Sequence, residues 1–183
     1  METENAPQHS ARLSEPAELK VTIIYEDLAS GQRAKHFAES LAERLESACP
    51  LSETMWRSDL LDSPLVADLA ARAAADCEYL IISLRGDRVL PFAVRQWIEA
   101  HLDSVAEHGI WVVGLLGAYG TKRRTLDGNR HYLRCVCAAK GVEFFSLASI
   151  PPEDAATSIF TNTTNNAAEL EPWPQRLPAL LPA

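Results

Sequence analysis

The stretch KVTIIYEDLASGQRAKHFAESLAERL, residues 20–45, holds the pattern that decides the fold. Its first part, 20–25, is β-branched and apolar, which predicts a buried strand. Residues 32–47 carry apolar side chains at helical spacing and predict an amphipathic helix, with Ser30 as its N-cap. The stretch therefore predicts a strand that turns sharply into a helix.

The same succession of strand and helix recurs along the chain. Apolar runs predict further strands, and a more polar run predicts an edge strand: 78–84, 110–116 and 142–147, with 52–57 at the edge. Helix signals stand between them: Ser63 before Pro64, then Pro91, then Asp127 as a cap with Gly141 as the stop. Five strands alternating with four helices predict a parallel sheet covered on both faces.

These elements predict an α/β fold, a three-layer α/β/α sandwich with a five-stranded parallel sheet of flavodoxin-like order 2-1-3-4-5. The predicted domain covers residues 19–149. Residues 1–18 are polar and are expected to form a flexible N-terminal tail. Residues 150–183 are rich in Pro, Thr, Asn and Ala, which predicts a largely extended C-terminal tail.

Composition excludes several classes of function. Hydrophobic residues make up 47% of the chain, as in a globular protein, and 17 basic against 25 acidic residues give a net charge of −8. Such a charge argues against nucleic-acid and acidic-membrane binders. Without a signal sequence or an apolar run that could span a bilayer, we expect a cytoplasmic protein. The four cysteines are expected to be small buried hydrophobes in a reducing compartment.

In the predicted strand order, a ligand site opens at the carboxyl ends of the first, third and fourth strands. Three loops would build it: 26–31, 85–90 and 117–126. The chain lacks the G-x-S-x-G motif of hydrolases and the phosphate-binding motifs of nucleotide triphosphatases and dinucleotide enzymes. The sequence therefore locates a site without assigning a reaction.

In these three loops, and over roughly residues 19–147, the chain resembles the flavodoxin-like group. The segment Ala29-Ser30-Gly31-Gln32 stands near the place of the flavodoxin phosphate loop, and Arg85-Gly86-Asp87 keeps a Gly-Asp pair after the third strand. Tyr119, in Gly117-Ala118-Tyr119-Gly120, stands where flavodoxins often stack a tyrosine on the ring. The resemblance implies flavin mononucleotide or another anionic ligand. Its phosphate would lie at Ser30, Gly31 and Gln32, with Arg85, Gly86, Asp87, Gly117 and Tyr119 lining the rest.

The acidic pair Glu26-Asp27 instead resembles the magnesium ligands of response-regulator receiver domains, which share this strand order. The third strand ends at Ser83-Leu84, however, so no aspartate stands at the phosphoacceptor position. This resemblance implies a degenerate receiver, a non-catalytic signalling or protein-interaction domain. In it, Glu26 and Asp27 are the weak candidates for metal ligands.

The two interpretations conflict at the first loop. A helix N-terminus attracts a phosphate, whereas Glu26 and Asp27 repel one. Lys122, Arg123 and Arg124 offset the acids if their loop folds over the site. The expected partner is thus a small anionic ligand or another protein, and the oligomeric state stays open.

Overall fold

The computed structural model describes residues 18–44, 50–117 and 123–148. Its strands are β1 (Leu19–Tyr25), β2 (Leu51–Arg57), β3 (Tyr79–Leu84), β4 (Trp111–Leu116) and β5 (Phe144–Ala148). Its helices are α1 (Leu28–Arg44), α2 (Pro64–Ala75), α3 (Phe92–Glu107) and α4 (Arg123–Ala139), with a short 3-10 helix at Ser58–Asp62. The two predicted tails lie outside the described residues, apart from Glu18.

The strands form one parallel sheet in the order β2-β1-β3-β4-β5. The predicted three-layer α/β/α fold of flavodoxin-like topology is therefore confirmed. The chain changes direction between β1 and β3, where Tyr25 lies opposite Ser83. The crevice between these two strand ends is the place where open α/β sheets bind ligands.

Each face of the sheet has its own apolar cluster. On one face, Phe37 and Leu41 of α1 pack against Val21, Ile23 and Ile81. On the other face, helices α2, α3 and α4 pack over the sheet, with Ile82 and Leu116 in the centre of their cluster. The described helices are thus unevenly divided, one on the first face and three on the second.

Two helices begin earlier than the sequence predicted. Helix α1 starts at Leu28, so Ser30 lies inside its first turn, and α4 starts at Arg123, so Asp127 lies inside that helix. In both cases the predicted boundary is a polar residue of a type that favours caps, but the helix extends further toward the N-terminus. The predicted starts of α2 and α3 agree with the structure to within a residue.

The cysteines are not all buried. Cys77 is 7% exposed and Cys137 is 1% exposed, as predicted, whereas Cys135 is exposed on α4. Residues two positions apart in an α-helix point to different sides, so Cys137 can be buried while Cys135 is exposed. Cys49 lies outside the described residues.

Candidate functional site

Side chains of the loop after β1 and of the first turn of α1 cap the start of this helix. The Asp27 carboxylate accepts a hydrogen bond from the Ser30 N–H at 2.8 Å, and the Ser30 hydroxyl accepts one from the Asp27 N–H at 2.8 Å. The Ser30 hydroxyl also accepts the Glu26 N–H at 3.0 Å and donates to the Asp27 carbonyl at 2.9 Å. This reciprocal pair is a capping box, in which Asp27 is the cap and Ser30 stands three residues later. The prediction of Ser30 as the cap is therefore wrong.

The capping box changes what this helix end offers to a ligand. The Ser30 hydroxyl makes three hydrogen bonds to its own loop, and Ser30 is only 2% exposed. The Gly31 N–H donates to the Asp27 carbonyl at 2.9 Å, while a Cβ at Gly31 would lie 3.0 Å from the Tyr25 ring. Gln32 is exposed. In this arrangement Ser30 and Gly31 face their own chain rather than an open phosphate site.

Asp27 keeps its charge through these contacts. Partial burial acts to raise its pKa, but the hydrogen bonds from Ser30 and the charges of Arg85 and Arg33 outweigh burial and lower that pKa. The carboxylate is therefore ionised at neutral pH and holds the helix start. A fixed negative charge at this end of α1 further disfavours an anion there.

Arg33 fills the crevice between the strand ends. Its guanidinium donates to the Ser83 hydroxyl at 3.1 Å, to the Leu84 carbonyl at 2.8 Å and to the Leu115 carbonyl at 3.0 Å, and it also contacts the Gly117 carbonyl. Burial lowers the pKa of Arg33, and the nearby charges of Asp27 and Glu26 partly restore it. The side chain thus ties α1 to the carboxyl ends of β3 and β4.

Glu26 ties the loop after β3 to the end of β1. Its side chain is only 6% exposed, and it accepts the Arg85 N–H at 3.0 Å and the Arg88 Nε–H at 2.7 Å. The Arg85 guanidinium lies 3.2 Å from the Asp87 carboxylate and 3.8 Å from that of Asp27. Arginines therefore occupy the positions at which a cation would meet the predicted metal candidates Glu26 and Asp27. Among the described residues, no group of three or more potential metal ligands comes together.

Gly86 and Gly117 allow the loops after β3 and β4 to touch. Gly86 has a φ of 75°, and a Cβ there would lie 2.5 Å from Leu126 and 2.7 Å from the Gly117 backbone. Gly117 has a φ of 95°, and its added Cβ would lie 2.6 Å from the same leucine. Glycine is required at both positions by the backbone conformation and by the close approach. The Gly-Asp turn is thus a packing device at the carboxyl edge of the sheet.

An open space remains beside these loops. A cavity of about 380 Å³ lies between the loop after β3, the first turn of α3 and the first turns of α4. Its cationic lining residues are Arg95 and Arg124, and Thr125, Asn129 and Tyr132 add polar groups. Val89 and Leu90 supply an apolar wall. Cavities of this size are typical of small-molecule sites, and none of the described lining residues is acidic.

The polar groups of this cavity are held in different ways. Asn129 is 4% exposed, accepts the Leu90 N–H at 3.1 Å and donates to the Arg88 carbonyl at 2.9 Å, so it fixes the loop wall. The Arg95 guanidinium lies 4.8 Å from the centre of the Tyr132 ring, and the Tyr132 hydroxyl donates to Glu99 at 2.7 Å. Arg124 is exposed and forms no hydrogen bond or ion pair with another described residue. The cavity therefore combines a rigid wall with two cationic side chains.

Burial raises the pKa of Tyr132, and its hydrogen bond with Glu99 acts in the same direction against the opposing effect of Arg95. Tyr132 is accordingly a neutral donor, with its ring surface covered by Arg95 on one side. This aromatic residue was not among the predicted ligand contacts. The predicted one, Tyr119, lies outside the described residues, as does Lys122.

Two residues of this site, Arg33 and Asn129, have a signal in the sequence that could have identified them. Arg33 falls on the apolar stripe of α1 with Ala34 and Phe37, and Asn129 falls on that of α4 between Leu126 and Leu133. A polar side chain on the buried face of a helix is expected to form hydrogen bonds with other buried groups. Nothing local, in contrast, indicates that Arg88 reaches back to Glu26, because 62 residues separate the two along the chain.

Within the parts of the chain that the structure describes, no helix has both the length and the apolar character needed to cross a membrane. Comparison with known proteins assigns no family, since no protein-family model matches the chain and a search of curated proteins finds no match either.

Proposed function

We propose that this domain binds a small anionic molecule at the carboxyl edge of its sheet, in the cavity beside the loops after β3 and β4. The observation that carries the proposal is the pair Arg95 and Arg124 lining a cavity of about 380 Å³. A chain with a net charge of −8 places two cations here without an acidic residue in the described lining. Such a local excess of positive charge favours a phosphate or carboxylate group.

Flavin mononucleotide, which the flavodoxin resemblance implies, is the first ligand to test. Its phosphate fits the arginines better than it fits the start of α1, because Ser30 and Asp27 already satisfy each other there. Its planar ring suits an apolar and aromatic wall of the kind that Val89, Leu90 and Tyr132 provide. The proposal keeps the cytoplasmic location expected from the sequence and assigns no reaction.

A fluorescence titration of flavin mononucleotide tests this function, with inorganic phosphate as a competitor. The variant Arg124→Glu is expected to weaken binding about tenfold or more, because a charge-assisted hydrogen bond contributes roughly 1.5–3 kcal/mol. Arg72→Glu is the matched control, since Arg72 is an exposed arginine on α2, away from the cavity. Equal affinities for the two variants would contradict the assignment of the cavity.

A specific observation also favours the second candidate, a non-catalytic interaction domain that resembles a degenerate receiver. Leu65 and Leu69 are 70% and 43% exposed on α2, and Leu60 of the neighbouring 3-10 helix is 46% exposed. Exposed leucines grouped in this way are typical of a protein contact surface. A protein that binds neither flavin mononucleotide nor phosphate in the titration would leave this interpretation as the better one.

A further inference from the structure

The face of the sheet that carries α1 is incompletely covered by the described helices. Helix α1 packs over β1, β2 and β3, and its cluster extends to Val113 and Leu115 of β4. On the far side of β4, no described helix lies over β5 on this face. Parallel sheets are normally covered on both faces. Among the described helices, none supplies the third layer at this end of the sheet.

The residues of β5 have the composition of a strand covered on both sides. On the α1 face, Leu147 lies opposite Leu115 and Phe145 lies opposite Val113, while Phe144 faces the other cluster. The other edge strand, β2, carries Ser52, Glu53 and Thr54 instead. Edge strands exposed to water are usually protected by such polar residues, so the apolar β5 indicates a covering partner.

An aromatic pair marks the same surface. The rings of Trp111 and Phe145 stack with their centres 5.0 Å apart at an angle of 19°. Trp111, Phe145 and Leu147 are each only partly buried, although their inner neighbours Val113 and Leu115 are 1% exposed. Together the three side chains form an apolar platform, which we call the β5 platform.

We propose that the β5 platform is a docking surface for residues 149–183 of this same chain. This segment follows directly from Ala148, the last residue of β5, and so begins beside the platform. It contains the large apolar residues Ile159, Phe160, Trp173, Leu177, Leu180 and Leu181. A tethered segment meets a neighbouring surface at a high effective concentration, which favours it over a separate partner.

Site-specific photo-crosslinking in the full chain tests this proposal. The variant Leu147→p-benzoylphenylalanine places the photoreactive group on the platform, and mass spectrometry locates the products. We expect crosslinks within one chain to residues 159–181, at a yield several-fold higher than from Phe92→p-benzoylphenylalanine. Phe92 is the matched control because it is exposed on α3, on the other face of the sheet.

A second variant tests the chemistry of the contact. Adding Trp173→Ser and Leu177→Asp to the photoreactive chain should lower the crosslinking yield several-fold, because both changes remove apolar surface from the proposed occupant. Equal yields from positions 147 and 92 would overturn the proposal, as would a yield that these changes leave unaltered. Products that join two chains would show that a second copy covers the platform instead.

Discussion

Arg33 connects helix α1 to the carboxyl edge of the sheet through four partners. Its guanidinium meets Ser83, Leu84, Leu115 and Gly117, which come from two strand ends and a loop. A buried carbonyl that loses its donor finds no other hydrogen-bond partner. Its full desolvation cost then lowers the free energy of unfolding. The residue therefore joins three segments that are distant in sequence.

Replacing Arg33 should accordingly destabilise the domain. We expect Arg33→Ala to lower the free energy of unfolding by about 2–3 kcal/mol, because several backbone acceptors lose a charged donor. Arg33→Lys should recover only part of this, since an ammonium lacks the planar fork of guanidinium. Urea unfolding measures both values, with Arg72→Ala on the exposed face of α2 as the control. A loss for Arg33→Ala no larger than that of the control would contradict this role.

The cysteines give a second test at the scale of single residues. Burial raises the pKa of Cys77 to about 11 and that of Cys137 to about 12. Only a minute fraction of either thiol is ionised at pH 7, and the thiolate is the reactive form. Iodoacetamide should therefore modify the exposed Cys135 before these two in the native protein, as mapped by peptide mass spectrometry. Equal modification of all three without denaturant would show that α4 does not bury Cys137 as described.

At the scale of elements, the start of α1 depends on a reciprocal pair of side chains. Ser30→Ala removes the acceptor for two backbone N–H groups, and Asp27→Ala removes the carboxylate that accepts the Ser30 N–H. Loss of a helix cap costs about 1 kcal/mol, so each variant should unfold at a lower urea concentration. Far-UV circular dichroism follows this transition, and a Gln32→Ala variant, changed at an exposed position of the same turn, should be unaffected.

The contribution of Asp27 should depend on pH in a defined direction. Its pKa is lower in the folded chain than the ordinary value of 3.8, so its ionised form stabilises the fold. This stabilisation is fully present above pH 3.8 and is lost as the pH falls through the lower, folded pKa. The difference in the free energy of unfolding between the native chain and Asp27→Asn should therefore be constant near neutral pH. It should shrink as the pH falls below 3.8. A difference that grows in acid would contradict the sign of this shift.

The turn after β3 is the other element that a single change should disturb. Gly86→Ala forces a Cβ to within 2.7 Å of the Gly117 backbone in a left-handed conformation with a φ of 75°. We expect a loss of at least about 1–3 kcal/mol, the usual cost of a strained residue. Gly109→Ala is a matched control, since Gly109 has a φ of 67° but nothing within 4 Å of its added Cβ. Thermal unfolding of both variants separates the cost of the steric clash with Gly117 and Leu126 from the cost of the left-handed backbone conformation. Equal losses of stability in the two variants would show that the clash contributes nothing.

For the whole molecule, the order of the sheet followed from sequence because alternating strands and helices leave few topologies. The apolar runs of β1, β3 and β4 were enough for this prediction, because each strand can be recognised from its own local sequence. The helix starts of α1 and α4 did not follow, because Ser30 and Asp127 favour caps and their true roles depend on neighbours. The loop predicted at 85–90 agrees with the structure, whereas 28–31 and 123–126 belong to helices. The contacts within the loops were decided by side chains that come from distant elements.

The arginines show this limit most clearly. Arg33 reaches Leu115 across 82 positions of sequence, and Arg88 reaches Glu26 across 62. Local patterns report which face of a helix is buried, but not which distant carbonyl or carboxylate a long side chain will meet. The site at the start of α1 was therefore expected to be open, and it is occupied by the chain's own arginine and capping box. A cavity of about 380 Å³ lies instead between the loop after β3, α3 and α4.

A nuclear magnetic resonance titration tests directly whether the ligand binds in the cavity between the loop after β3, α3 and α4. Flavin mononucleotide is added to the ¹⁵N-labelled full chain, and the backbone amide shifts are followed residue by residue. We predict the largest shifts at Leu90, Thr125, Gly128 and Asn129, which line the cavity. Shifts concentrated at Ser30, Gly31 and Gln32 would contradict it and restore the flavodoxin-like phosphate position, and unchanged spectra would contradict flavin binding altogether.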